Sequence, residues 1–206
     1  MTARIRGGGV VHAGVVIVDP AIDLPEDVVL VVDGEVSARL PWLLAWHKPV
    51  GVLSTLRDPW GREGLEGALP EAWHGYHPVG RLDQDTSGLL LFSRDGALTQ
   101  WLLHPKRAVP RTYVATVEVD PAPGLADLLA AGVATAEGTF SARVESVVGR
   151  DVTLTVTEGK HRMVRRMLAN AGAPVGALHR VRYGPIALRD LAVGACRPED
   201  VDPRVT

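Results

Sequence analysis

The densest chemistry in this chain lies in one short run, Gly80-Arg81-Leu82-Asp83-Gln84-Asp85-Thr86-Ser87-Gly88-Leu89-Leu90-Leu91. Two carboxylates, two hydroxyls and a guanidinium are packed into a turn that feeds an apolar strand. Turn carboxylates and hydroxyls commonly accept hydrogen bonds from nearby backbone amides, and that local role suffices for Asp85, Thr86 and Ser87. Asp83 could serve the same purpose or act as a reactive carboxylate. A paired-aspartate phosphatase would place Asp83-x-Asp85-Thr86 after an apolar strand, whereas here the apolar run follows, so the order is reversed. Ser87 is not in the Gly-x-Ser-x-Gly setting of a hydrolase nucleophile.

Elements around this run must position it. Val10 to Val18 reads as two short strands broken at Ala13-Gly14, and Val28 to Val32 as a strand ending at the Asp33-Gly34 turn signal. Leu43–Trp46 and Val50–Thr55 read as strands flanking His47-Lys48-Pro49, and Leu56 to Gly80 as loop. Leu89–Phe92 is an apolar strand. Asp95 caps a helix over residues 97–103 that stops before Pro105. Thr112–Val119 is a β-branched strand, and Leu125–Ala131 a helix closed by Gly132. Residues 140–156 hold two strands split at Gly149-Arg150. Residues 160–171 form a helix with Met163, Val164, Met167, Leu168 and Ala171 on one face, and Val175–Tyr183 gives a last strand. Strands interleaved with few helices predict an α+β fold around a central mixed, mainly antiparallel sheet.

Composition narrows the classes. With 206 residues and 46% apolar content, the chain can bury one sizeable core and a small appendage. Cys196 is the single cysteine, which excludes an internal disulfide and a cysteine-based zinc site and suits a reducing cytoplasm. The first residues lack an apolar core of signal-peptide length, and the apolar runs are strand-sized, so no membrane association is expected. A formal charge of −2 argues against a nucleic-acid partner, but the average hides segregation. Residues 19–35 are acidic. Lys106, Arg107 and Arg111 cluster without an acid, and Lys160, Arg162, Arg165, Arg166, Arg180 and Arg182 face only Glu158. These segments allow either a local basic face on a near-neutral protein or a set of separately solvated faces, and charge alone does not choose between them.

The run from Gly80 resembles the Gly-Arg-Leu-Asp-x-Asp-Thr-Ser-Gly-Leu motif of the ribosomal small-subunit-type pseudouridine synthase family. Three further stretches resemble it in the same order. These are Leu43 to Thr55 with its Lys48-Pro49 and Gly51 turn, Arg111-Thr112-Tyr113, and Glu158-Gly159-Lys160 through Arg165-Arg166-Met167. Together they span residues 43 to about 197. The resemblance implies an enzyme that isomerises a uridine of ribosomal RNA, with Asp83 as the carboxylate that attacks the nucleotide. The residues leave open whether Asp83 attacks sugar or base, or removes a sugar proton. Such chemistry needs the uridine out of its stack and inside a pocket. Tyr113 would stack on the flipped base, and Arg165 would pair with Asp83 and keep it ionised. Arg81, Lys48, Lys106, Arg107, Lys160, Arg166, Arg180 and Arg182 are the expected RNA contacts, while Arg162 is read as a solvated helix residue. The isomerisation is redox-neutral, so neither metal nor organic cofactor is expected.

The sequence departs from the family pattern at His47, where Asn is frequent, and at Met163, where Gln is frequent. Ile5 to Glu35 resembles the second half of an alpha-L RNA-binding domain, with the first helices absent. Residues 1–40 are therefore expected to be a truncated remnant and residues 41–206 the catalytic domain. The expected partner is ribosomal RNA, naked or in a pre-ribosomal particle, bound by a cytoplasmic monomer. A non-catalytic RNA-binding module would share the basic segments but has no use for Asp83, Tyr113 and Arg165 together.

Overall fold

The computed structural model describes residues 6–19, 21–22, 30–37, 41–55, 64–65, 69–70, 73 and 75–205. The chain separates into two compact units, Met1–Pro41 and Trp42–Thr206. The first holds a four-stranded antiparallel sheet of β1 (Val10–His12), β2 (Val15–Val16), β3 (Leu30–Val32) and β4 (Glu35–Ser37) in the order β2-β1-β3-β4. Both of its two-residue turns, Ala13-Gly14 and Asp33-Gly34, have positive φ at each central residue, the twist that hairpins prefer.

The second unit is built on a nine-stranded sheet. Its main path runs β11 (Arg143–Val148), β12 (Asp151–Val156), β8 (Arg111–Val117), β13 (Val175–Tyr183), β7 (Thr86–Ser93), β5 (Leu43–Lys48) and β15 (Cys196–Glu199). Short β6 (His77–Pro78) pairs with β7, and β14 (Ile186–Ala187) with β13. The β7–β13 pair is parallel and the other pairs are antiparallel, which matches the mixed, mainly antiparallel α+β expectation. A separate hairpin joins β9 (Val133–Thr135) and β10 (Gly138–Phe140).

Central strands β5 and β7 read as nearly unbroken apolar runs because both faces are covered. Leu90 and Phe92 enter one core with Leu44 and Trp46, while Leu89 and Leu91 enter a second core with Leu43 and Ala45. Helices α2 (Leu125–Ala131) and α3 (Met163–Asn170) supply Leu125, Leu129, Met167 and Leu168 to the first core. Helix α1 (Gly96–Leu103) supplies Leu98 and Leu102 to the second. Asp95 caps α1 by accepting from the amides of Ala97 and Leu98 at 2.8 and 3.0 Å, and His104 and Pro105 end it. No helix among the described residues is long and apolar enough to cross a membrane.

Three local readings change. Val50–Thr55 is loop rather than strand, because its polar groups bond to the Asp83 turn instead of a ladder. Helix α3 starts at Met163, since Arg162 has φ +52° and breaks the helical path; Lys160 and His161 therefore lie in a turn. Strand β7 begins at Thr86, inside the motif, so the turn carrying Asp83 leads directly into the sheet. Most of residues 56–74, read as loop, lies outside the described residues.

Candidate active site

The Asp83 turn is strapped in place by the segment after β5. Ser54 Oγ donates to the Leu82 carbonyl at 2.7 Å and accepts from the Leu82 amide at 3.0 Å. The Gly51 amide donates to the Gln84 carbonyl, and Gln84 Nε2 donates back to the Gly51 carbonyl, both at 2.8 Å. The Thr86 amide closes the turn on the Asp83 carbonyl at 3.1 Å. Beneath it, the fully buried Lys48 ammonium donates to the carbonyls of Thr86 and Pro49 at 2.8 and 2.9 Å. These bonds fasten the backbone of the turn, although the buried Thr86 hydroxyl has no hydrogen-bond partner among the described residues, and the Asp83 carboxylate is left half-buried at the rim.

That carboxylate faces a cleft of about 330 Å³. Its walls come from the Asp83 turn, from Arg111 and Tyr113 on β8, from residues 158–164 ahead of and into α3, and from Leu178, Arg180 and Tyr183 on β13. Tyr113 is buried, and Arg180 Nη1 donates to its hydroxyl at 3.5 Å. Arg111 stacks on Tyr183 with its guanidinium carbon 4.7 Å from the ring centre, and both hold the Leu102 carbonyl at the end of α1. The cleft is therefore aromatic and cationic inside, and the carboxylates of Asp83 and Glu158 also line it. Such a lining suits a flat, polar, anionic-backbone ligand such as a nucleotide.

Electrostatics divide the two aspartates. Arg162 grips Asp85 with two hydrogen bonds of 2.9 and 2.8 Å, which holds the Asp85 carboxyl below the usual carboxylate range, while partial burial opposes and the Arg165 charge adds to the effect. Asp83 has no ion-pair partner among the described residues, although both Lys48 and Arg162 feel its charge. Burial pushes the Lys48 ammonium down to about 8, against the attraction of Asp83 and Asp85.

Several expected site residues occupy different places. The buried Arg165 does not reach Asp83: its Nε lies 3.4 Å from Asp85 Oδ2, its Nη2 donates to the Asp85 carbonyl at 2.7 Å and its Nη1 to Val175 at 3.0 Å. It ties the turn to the start of β13 instead. Arg162, read as merely solvated, is the side chain that clamps Asp85 and lines the cleft. Lys48 and Arg180 are 0% and 2% exposed, so neither presents its charge to a phosphate backbone on the surface. Arg81 and Lys160 are exposed and line the cleft. Lys106, Arg107 and Arg182 are exposed outside it, with Arg107 stacked 5.5 Å from the Trp101 ring centre. Arg166 is half-buried and paired with Glu137. Tyr183 and Arg111 were missed as wall residues; their signal was a basic or aromatic residue on strands otherwise rich in apolar and β-branched ones.

Residues 42–184 match the RNA pseudouridylate synthase family, and the chain belongs to that family. It is 40% identical over 163 residues to an uncharacterized RNA pseudouridine synthase of Mycobacterium tuberculosis, a match covering 75% of this chain and 64% of that protein. It is 33% identical over 201 residues to ribosomal large subunit pseudouridine synthase B of Bacillus subtilis, covering 94% of this chain and 82% of the relative. A crystal structure of a pseudouridylate synthase superposes with a TM-score of 0.70 at 26% identity, covering 96% of this chain and 87% of that one. The chain thus spans a little under two thirds of the length of the mycobacterial relative.

Proposed function

We propose that this protein isomerises a specific uridine to pseudouridine in ribosomal RNA, with Asp83 as the catalytic carboxylate. The observation that carries the reading is the Asp83 carboxylate, without an ion-pair partner among the described residues, at the mouth of a cleft lined by Tyr113 and by cations. Relatives named for the large ribosomal subunit favour its RNA as the substrate. Tyr113 offers an aromatic face for the flipped base, Arg81 and Lys160 offer charge to the flanking backbone, and Arg162 and Arg165 fix the turn through Asp85. The isomerisation exchanges one glycosidic bond for another without net oxidation, and side chains suffice for it. In this reading residues 41–206 form the catalytic domain. The protein works as a cytoplasmic monomer on naked RNA or on a pre-ribosomal particle.

The test is tritium release from ribosomal RNA labelled at uridine carbon 5. Wild type releases tritium, while Asp83→Asn releases none above background yet binds the same RNA within about threefold, since the substitution removes a charge and not a contact surface. Absence of release by wild type from both subunit RNAs, naked or in particles, would move the assignment to a binding module.

A further inference from the structure

Arg180 is the feature that the proposed reaction has not yet used. It sits on β13 beside Gly88, where β7 and β13 run parallel and unusually close. A Cβ at position 88 would run into the Arg180 backbone, with the amide nitrogen 2.6 Å away, and Gly88 itself has φ +105°. Arg180 pairs with Tyr113 of β8 in the cleft wall, and the register of β13 against β8 shifts just after it, between Arg180 and Arg182. Arg180 is 2% exposed, and its guanidinium carbon lies 6.0 Å from the ring centre of Tyr113 and 5.1 Å from that of Tyr183. Its Nε donates to the Leu89 carbonyl at 2.7 Å and its Nη1 reaches Tyr113 only at 3.5 Å. Its Nη2 has no hydrogen-bond partner among the described residues.

The other buried cations here are differently placed. Arg111 directs its guanidinium nitrogens at Thr157, Leu102 and Tyr183 oxygens, and Lys48 holds two carbonyls beneath the turn without lining the cleft. Asp85 is already answered by Arg162 and Arg165. Arg180 is thus a desolvated cation in the cleft wall with a spare donor and no carboxylate bonded to it. A site of this kind is completed by negative charge on whatever enters.

We propose that Arg180 stabilises the negative charge that develops on the uracil ring when it leaves the sugar, an inference that rests on the isomerase reading above. Breaking the C1′–N1 bond leaves the electron pair on the base, spread over its ring nitrogen and carbonyl oxygens. The electron-poor sugar is compensated at Asp83, by a bond or by a proton given to its carboxylate. The base turns and its carbon 5 bonds to C1′ as the Asp83 bond breaks, or as Asp83 returns the proton to the sugar; the proton on carbon 5 then leaves and the ring nitrogen takes one up, so atoms and electrons balance. Arg180 acts while the base is detached, when its charge is greatest, and so affects the rate of the bonded complex more than its formation.

The experiment uses the full chain in single-turnover reactions with two transcripts of large-subunit ribosomal RNA, one with uridine and one with 5-fluorouridine. Loss of the target nucleoside is followed by mass spectrometry of digests. Arg180→Gln lowers the first-order rate on uridine RNA about a hundredfold, the scale of losing one preorganised donor, with the RNA Kd changed less than threefold. Fluorine withdraws electrons and makes the base a better leaving anion, so the deficit on the fluorinated RNA shrinks to about tenfold or less. Arg180→Lys, which keeps the charge and guards against a Gln variant that fails to fold, stays within about tenfold of wild type on uridine RNA and shows a smaller deficit on fluorinated RNA. Equal deficits on the two RNAs, or a loss confined to Kd, would overturn the assignment while wild-type turnover still upheld the isomerase. Silence from wild type on uridine RNA would overturn both.

Discussion

At the scale of single residues, the two aspartates of one turn have opposite tasks. Asp85 is spent on structure: Arg162 and Arg165 bind it and through it anchor the turn. Asp83 lines the cleft mouth with no ion-pair partner for its carboxylate among the described residues. The arginine clamp holds the Asp85 carboxyl below its ordinary value of 3.8 in the folded chain. A carboxyl depressed on folding stabilises the fold above its unfolded value and loses that contribution as pH falls through the folded one. Asp85→Asn should therefore lower the urea midpoint at pH 7, and the gap to wild type should narrow below about pH 4 and close with further acidification. A gap that is constant from pH 7 to pH 3 would mean that the ion pair contributes nothing and that the amide disturbs the turn in another way. The carboxyl is 46% exposed, so the gap is expected to be modest.

At the scale of elements, Asp83 is placed by the junction of a turn with β7 and by the loop of residues 49–55 that fastens it. Strand β7 carries both cores on its two faces, which makes it a rigid mount for the turn. Its weak point is Gly88, where β13 comes too close for any side chain and the backbone is left-handed. Gly88→Ala should lower stability by at least about 2 kcal/mol, from backbone strain and from pushing β13 off β7, and should impair turnover by displacing Arg180. Urea denaturation of the variant measures the first and tritium release the second. A variant as stable and active as wild type would show that the two strands separate there at no cost.

At the scale of the whole molecule, a net charge of −2 coexists with a cleft whose rim carries exposed Arg81 and Lys160. Affinity for RNA should fall as salt rises, in proportion to the phosphates neutralised. Arg81→Ala or Lys160→Ala should each reduce the magnitude of the log–log salt slope by about 0.7 to 0.9, according to whether the contacted RNA is single- or double-stranded. Lys48→Met should leave the slope unchanged, because that ammonium is buried under the turn and meets carbonyls rather than solvent. Filter binding over a range of salt concentrations separates the two cases; a lower slope for Lys48→Met would return Lys48 to the RNA-binding surface.

Local sequence determined what local forces control. The Asp95 cap, the Gly132 stop, the two-residue turns at Ala13-Gly14 and Asp33-Gly34, and the strand character of residues 112–117 and 175–183 depend on neighbours a few positions away, and they are legible without coordinates. The motif around Asp83 likewise identifies the family. Tertiary structure decided where the long cationic side chains end. Whether Lys48 and Arg180 reach solvent or a buried carbonyl depends on strand β7, 38 and 91 residues away in sequence, so no local pattern distinguishes them from Arg81. The choice of Asp85 rather than Asp83 as the partner of Arg165 was decided in the same way, because it turns on how α3 and β13 dock against the turn. Residue type states what charge is available; only packing states which charge is left uncompensated, and the proposed chemistry depends on that remainder.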